Sequence, residues 1–352
     1  MTSGQIRGLA RECGFEIAGV ARAEPVREVA WYHEWTDSGY AGKMGYLTDR
    51  RAVIRNDPRN LLPSARSIIC VGKLYNSPWP YSTRFDAAER AWISRYAWGD
   101  DYHDTIGRGI EQLDALLRQR CGPSYESKIC VDTAPLLERS YARQAGLGWI
   151  GRNTCLINQE SGSWFFLGEL LVSLEIEPDR PPPDRCGTCR RCIEACPTEA
   201  IVPGPLGYTV DARRCISYFT IELRGAIPEA ERERCGRHVF GCDICQDVCP
   251  WNGRTAVTNS PEFQPREFAP ELQRLAAMSE QEFRSMFRAS PVTRARYTGF
   301  LRNIAVAMGN SGDSRFTEPL ERLAQHEDEM VREHSRWALE RLKTATPKPE
   351  HR

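Results

Sequence analysis

Apolar and polar positions divide the chain into three stretches of different period. In residues 1–180, short apolar runs alternate with segments of helical spacing. Ser3–Cys13 predicts a short helix, FEIAGVA (15–21) a strand, and Val26–Asp37 a second helix. RSIICVGKLY (66–75) and SKICVD (127–132) carry strong strand patterns, with a helix, TIGRGIEQLDALLRQRC (105–121), between them. APLLERSYARQA (134–145) is helical, and NTCLIN (153–158) and FLGELLVSLEI (166–176) read as strands. Alternation of this kind predicts a layered α/β domain. The Pro-rich joint EPDRPPPDR (177–185) breaks the period and marks a boundary near residue 180. Residues 181–255 hold closely spaced cysteines. From 256 to 352 the pattern is helical, with Leu301, Ile304, Ala305 and Met308 on one face and Val331, His334, Ala338 and Leu342 on another. Two such antiparallel helix pairs predict a short HEAT-like region, and the tail TPKPEHR (346–352) reads as frayed.

Composition narrows the class without naming it. The 352 residues carry 47 Lys+Arg and 47 Asp+Glu, so net charge gives no global pull toward nucleic acid or membrane. Hydrophobic residues are 41% of the chain, ordinary for a folded protein. No apolar run is long enough to span a bilayer, and the N-terminal segment has neither a secretory nor a twin-arginine pattern. The expectation is a cytoplasmic protein. In that compartment 14 cysteines do not form a disulfide scaffold, so metal binding or catalysis is expected of them.

Their spacing is specific. Cys186, Cys189, Cys192 and Cys196 form C-x2-C-x2-C-x3-C followed by Pro197, the bacterial ferredoxin pattern for 4Fe–4S clusters. Cys242, Cys245 and Cys249 form a second run, one cysteine short, followed by Pro250. In two-cluster ferredoxins the fourth cysteine crosses to the other cluster. That rule assigns Cys186, Cys189, Cys192 and Cys249 to one cluster, and Cys196, Cys242 and Cys245 to the other. Cys215 and Cys235 are the candidates for the missing ligand. Cys215 is preferred because it follows a strand-like turn, YTVDARR, back from the first run. Zinc ribbons also use C-x2-C pairs, but this four-cysteine spacing is unusual for zinc. Two clusters in series form a wire, and the 180 residues before them are expected to hold its acceptor.

Two motifs mislead. GLGWIG (146–151) fits G-x-G-x-x-G, but a helix precedes it and a strand follows, the reverse of a dinucleotide site. Gly146 reads as a helix stop, and the loop could lie flat against a planar cofactor. DYHDTIG (101–107) approaches the D-x-H-x-x-G of cobalamin enzymes with a histidine lower ligand, but Gly107 comes one residue late. His103 is therefore expected to make a polar contact rather than an axial bond. Asp132 lies between a strand and a helix in CVDTAPLLER. Asp132 or Thr133 is expected to cap that helix, with Pro135 in its first turn. A carboxylate at a strand's end is also where α/β active sites gather.

Together the motifs resemble the epoxyqueuosine reductase family. The matching segments are RNDPRNLLPSARSII (55–69), SRYAWGDDYH (94–103), VDTAPLLERSYARQAGLGWIGRNTCLIN (131–158) and WFFLGELL (164–171), then CGTCRRCIEACPTEAI (186–201), CISYFTIELRG (215–225) and GCDICQDVCPWN (241–252). The resemblance implies a cobalamin-binding α/β domain over 1–180, a ferredoxin-like domain with two 4Fe–4S clusters over 181–255, and a HEAT-like, tRNA-contacting region over 256–352. It implies reduction of epoxyqueuosine to queuosine at the tRNA wobble position. Asp132 would be the proton donor. Cobalamin contacts are implied for Arg55, for Arg95 and His103 in the SRYAWGDDYH segment, for Asp132, for Asn153, Leu156 and Asn158, and for Leu167 within LGE (167–169). Cys215 matches as the eighth cluster ligand, leaving Cys235 an ordinary thiol.

Residues 284–312 then stand out, with Arg284, Arg288, Arg294, Arg296 and Arg302 and no Asp or Glu. Phe287, Tyr297 and Phe300 are interleaved. Arginines of this kind bind phosphates and aromatics stack unpaired bases, so Arg294, Arg296, Tyr297 and Arg302 are the candidate tRNA contacts. The alternative is a solvated helix face over core aromatics. A monomer fed by an external low-potential electron donor is expected. Other readings are a reductive dehalogenase, which shares cobalamin and two clusters but is usually exported, and a bare electron-transfer or RNA-binding module.

Overall fold

The computed structural model describes residues 1–205 and 207–344; the tail predicted to fray, 346–352, lies outside them. The predicted strands form one four-stranded sheet of β1 (Ile17–Arg22), β2 (Ser67–Leu74), β3 (Ser127–Cys130) and β4 (Phe165–Val172), in the order β1-β2-β4-β3. Every pairing is antiparallel. Asp132 sits just past the C-terminal end of β3, as expected of a carboxylate at a strand's end.

β2 is nearly continuous in apolar residues because helices cover both faces of the sheet. Ile69 and Val71 face α1 (Ser3–Glu12) and α3 (Tyr102–Cys121) through Ile6, Leu9, Ile106 and Ile110. Ile68 and Cys70 face Tyr141, Ala142 and Ala145 around α4 (Glu138–Gln144). The alternation follows from the period of two along a strand. Gly168 in β4 lets α3 approach closely, since a Cβ there would lie 2.6 Å from Ile106. A further helix, α2 (Glu28–Asp37), lies between β1 and β2 in the chain. NTCLIN contributes only Leu156–Ile157 as a strand, paired with Trp149–Ile150 in a small ribbon. Gly146 ends α4 at φ +80°, as expected of a helix stop.

The Pro-rich joint is fastened rather than loose: Asp179 accepts from the Val20 amide and pairs with Arg7. The boundaries at 180 and 255 are also not sheer. Trp92–Ile93 pairs with His238–Phe240, and Ala91, Trp92, Ile93 and Trp98 share a core with Leu272, Phe283 and the later helices. Those are α5 (Leu272–Ala276), α6 (Glu280–Met286), α7 (Tyr297–Ser311), α8 (Thr317–Leu323) and α9 (Glu329–Thr344). α7 is buried almost all round, and Gly309 lets it approach Ala338 of α9. Among the described residues no helix is long and apolar enough to cross a membrane.

Candidate functional site

An open cavity of about 920 Å³ lies beyond the C-terminal end of β3. Asp132, His103 and Glu138 line it on one side, Arg55 and Tyr46 on another, and Arg294 on a third. Ile221 and Glu222 of the cysteine-rich region complete the wall, so residues of all three stretches meet here and only the tertiary fold assembles them. Of the residues predicted to contact a cofactor, Arg55, His103 and Asp132 line this cavity.

His103 bridges two carboxylates. Its Nδ1 lies 2.6 Å from Asp101 Oδ1 and its Nε2 3.2 Å from Asp132 Oδ2. Both ring nitrogens can donate to a carboxylate only in the imidazolium. Hydrogen bonds to Asp101 and then Asp132 raise the His103 pKa to about 9, over the opposing effect of burial. For Asp132, burial pushes the pKa up, but the bond and charge of His103, helped by Tyr102 and Arg294, bring it below the ordinary carboxyl value. At neutral pH the His103–Asp132 pair therefore holds one proton, resident on His103. Neither ring nitrogen is free to ligate a metal.

Asp132 caps no helix. α4 begins at Glu138, and the intervening loop places Asp132 at φ +51°. Aspartate tolerates this left-handed region better than most residues. Its backbone N–H donates instead to Glu138 Oε1 at 2.6 Å. The electrostatic role of Asp132 is thus set by His103 and not by a helix terminus.

Several predicted contacts lie elsewhere. Arg95 is buried, donating to the carbonyls of Ser77, Trp79 and Pro80 and packed on Trp98 and Trp164. Its amide donates to Asp243, between Cys242 and Cys245, so this segment fastens the cysteine region to the sheet domain and Arg95 itself cannot touch a ligand. Asn153 and Asn158 are spent on the carbonyls of Cys245 and Leu147. Leu156 is buried in the core against α4, and Leu167 packs at its margin.

The cysteines gather in two groups. Cys192 lies within electrostatic reach of Cys249, Cys186 and Cys189, and these four line a second small cavity. Cys242 faces Cys215 and Cys196, and Cys245 faces Cys242 and Cys215. Among the described residues no three His, Cys, Asp or Glu converge on a single ion, whereas an iron–sulfur cube holds its thiolates farther apart. Cys155 packs against Cys245. Cys235 is buried in an apolar cluster with Ile216 and Phe219.

The acid-free arginine stretch finds partners from other elements. Arg294 pairs with Glu222 and lies over Tyr46 at the cavity mouth. Arg296 is exposed. Arg302, predicted to bind RNA, is 1% exposed and donates to the carbonyls of Phe219, Leu223 and Gly225. It cannot reach a phosphate. With Asn303, which binds the Thr220 and Val239 carbonyls, it holds the π-helical turn Tyr218–Glu222 that follows Cys215 and lines the cavity through Ile221 and Glu222. Phe287 and Phe300 are core residues, and the Tyr297 hydroxyl donates to the Met278 carbonyl. Glu169 lies in the LGE segment (167–169) but was not singled out from it; a charge inside the apolar run WFFLGELL was the available signal.

Comparison with known proteins places this geometry. A family model described as "4Fe-4S double cluster binding domain" matches residues 185–252, and one described as "Epoxyqueuosine reductase QueG" matches residues 55–133. An epoxyqueuosine reductase of Xanthomonas campestris pv. campestris is 40% identical, over 95% of this chain and 94% of its own. One from Pseudomonas aeruginosa is 42% identical, over 96% and 93%. The structure of epoxyqueuosine reductase from Streptococcus thermophilus superposes with TM-score 0.87 at 28% identity, covering 98% of this chain and 91% of that one. An epoxyqueuosine reductase with an epoxyqueuosine-modified tRNA-Tyr stem loop superposes with TM-score 0.75 at 28% identity, over 97% and 98%. A Bacillus subtilis structure, with its catalytic aspartate loop swung out of the active site, also has TM-score 0.75 at 28% identity, over 96% and 98%.

Proposed function

Because the chain belongs to the epoxyqueuosine reductase family, we propose that it reduces epoxyqueuosine at the tRNA wobble position to queuosine, with Asp132 and His103 as its proton-donating pair. The reaction takes up two electrons and two protons, opens the epoxide to an alkene and releases its oxygen as water. Two 4Fe–4S clusters carry the electrons, one on Cys186, Cys189, Cys192 and Cys249 and the other on Cys196, Cys215, Cys242 and Cys245. An external low-potential donor supplies them to a single chain.

The cavity suits cobalamin in kind: it is broad, open, and lined by both aromatic and charged side chains, among them Tyr32, Trp35, Tyr46 and Arg55. Cobalamin, when bound there, supplies a strongly reducing centre for the strained ring. The protein's own residues do the rest. Arg55, with Arg139 on the same cavity wall, would hold the group's polar periphery, while His103 is engaged with Asp101 and Asp132. Asp132 lines the cavity wall, so a group bound there would shield its carboxylate from water. That shielding would favour the neutral acid, and the proton held on His103 would pass toward Asp132 and then to the departing oxygen.

The observation that carries this reading is the His103–Asp132 pair in the wall of a cavity bounded also by the turn after Cys215. In the same reading residues 1–180 hold the cofactor, 181–255 the clusters, and the HEAT-like helices of 256–352 face the RNA with Arg294 and Arg296. Turnover of epoxyqueuosine-containing tRNA by reduced, cluster-loaded enzyme is expected to require added cobalamin. Cobalamin-independent conversion would remove the cavity from the mechanism. Replacing Arg294 and Arg296 together by Glu is expected to weaken tRNA binding and flatten its salt dependence, by about one unit of slope for each phosphate the protein no longer neutralises. Unchanged affinity would move the RNA surface elsewhere.

A further inference from the structure

Behind Asp132 lies a second pair of acidic groups. Glu169 sits at the centre of the sheet, opposite Cys70 of β2 and Cys130 of β3. It is 0% exposed, and neither carboxyl oxygen meets a hydrogen-bond donor. The Glu138 carboxyl, from the first turn of α4, comes within hydrogen-bonding reach of it. Glu138 Oε1 in turn accepts the Asp132 backbone N–H at 2.6 Å.

Two carboxylates in contact, Glu169 fully buried in the sheet and Glu138 at the cavity wall, with no donor between them, repel strongly when both are ionised. One proton between them removes the repulsion and supplies the missing hydrogen bond. We propose that Glu138 and Glu169 share a single proton and that this pair positions Asp132 for the reaction, an inference that rests on reading Asp132 as the acid. Glu138 is then a positioning residue. Its orientation depends on the O–H between the two carboxyls, and the left-handed Asp132 backbone depends on Glu138, because no helix cap holds it.

The groups facing the pair are Asp132 on the loop, Arg139 on α4, Tyr102 on α3, and the Cys70 and Cys130 thiols. Burial keeps both thiols and Tyr102 neutral at ordinary pH. Burial and then the neighbouring carboxylates raise the affinity of both glutamates for a proton. As pH rises the shared proton leaves, two like charges face each other, and the hold on Asp132 loosens. The pair should titrate with apparent values that belong to it jointly.

The test compares Glu138→Ala, Glu138→Gln and Glu169→Gln in the holoenzyme. Glu138→Ala is expected to lower kcat about 10²-fold with KM for epoxyqueuosine-tRNA unchanged. Glu138→Gln should recover most of that loss, because its amide oxygen still accepts the Asp132 N–H and its NH₂ donates to Glu169. The wild-type alkaline limb contributed by the pair should vanish in both glutamine variants, leaving the limb of His103. Two further measurements need no turnover. Hydrogen exchange at the Asp132 amide should speed up in Glu138→Ala but not in Glu138→Gln. The infrared C=O stretch of a buried protonated carboxyl should drop out of the wild-type spectrum in Glu169→Gln. The proposal is overturned by equal amide protection in Glu138→Ala, by a glutamine variant as slow as the alanine one, or by an unchanged alkaline limb in Glu169→Gln. Full activity in Asp132→Asn would instead sink the reading of Asp132, while the exchange and infrared results would still report on the pair.

Discussion

Asp132→Asn is expected to lower turnover about 10²–10⁴-fold, the usual contribution of a positioned general acid, without unfolding the protein or releasing tRNA. Asparagine is close to isosteric and also tolerates φ +51°. Its amide retains an oxygen to accept from His103, so the cavity keeps its shape. What it cannot do is deliver a proton to the departing oxygen. The same variant should change the pH profile. One of the two carboxylates that raise His103 to about 9 becomes neutral, so the imidazolium should lose its proton at lower pH.

The direction of the stability effect follows from the same pair. His103 is raised from its ordinary value of 6.5 to about 9 by its carboxylate partners. Its stabilisation is complete below the unfolded pKa and is lost as pH rises through about 9. Asp132 is shifted the other way, so its share is present above its unfolded pKa and is lost as pH falls through the folded value. The pair is therefore strongest between those limits. Single-turnover rates and thermal stability measured across pH check both signs, and near-normal turnover in Asp132→Asn would remove Asp132 from the chemistry.

Cys215→Ala should abolish sustained turnover and cut the iron bound per chain from about eight to about four, since each 4Fe–4S cluster needs its fourth thiolate. Cys235→Ala should retain both clusters. The contrast matters because both cysteines stood as candidates for the eighth ligand on spacing alone. The structure separates them by environment. Cys215 faces Cys196 and Cys242, whereas Cys235 packs among Ile216, Phe219 and Ile227. Iron analysis with the visible spectrum of each reconstituted variant decides the matter. Loss of a cluster in Cys235→Ala, with retention in Cys215→Ala, would reverse the assignment.

Much of this architecture was legible in the chain. The strands β1 to β4 and helices α1 and α3 fall within a few residues of their predicted spans, because each presents a clear period to a buried layer. The first cysteine run was equally plain, since three thiolates on one short loop must be close in space whatever the fold. Errors came where the partner was distant. Arg302 looked like an RNA contact because residues 284–312 hold no acid; its partners are carbonyls about 80 positions upstream, on the turn after Cys215. Arg294 likewise pairs with Glu222. Asp132 looked like a helix cap because a helical pattern begins nearby, but the chain takes one more loop before α4 starts.

What the sequence by itself determined was therefore local: the period of each element, the spacing of the first cluster's ligands, and the family resemblance carried by contiguous motifs. What only the tertiary structure decided was which charges meet. Glu169 reads as a single misplaced charge in a strand; folding sets it against Glu138, and Glu138 against the Asp132 amide. His103 becomes an imidazolium only because two carboxylates, from its own turn and from the end of β3, close on its two nitrogens. Protonation depends on burial and on charges a few ångströms away in space, and those distances exist only once β3, α3 and α4 have packed.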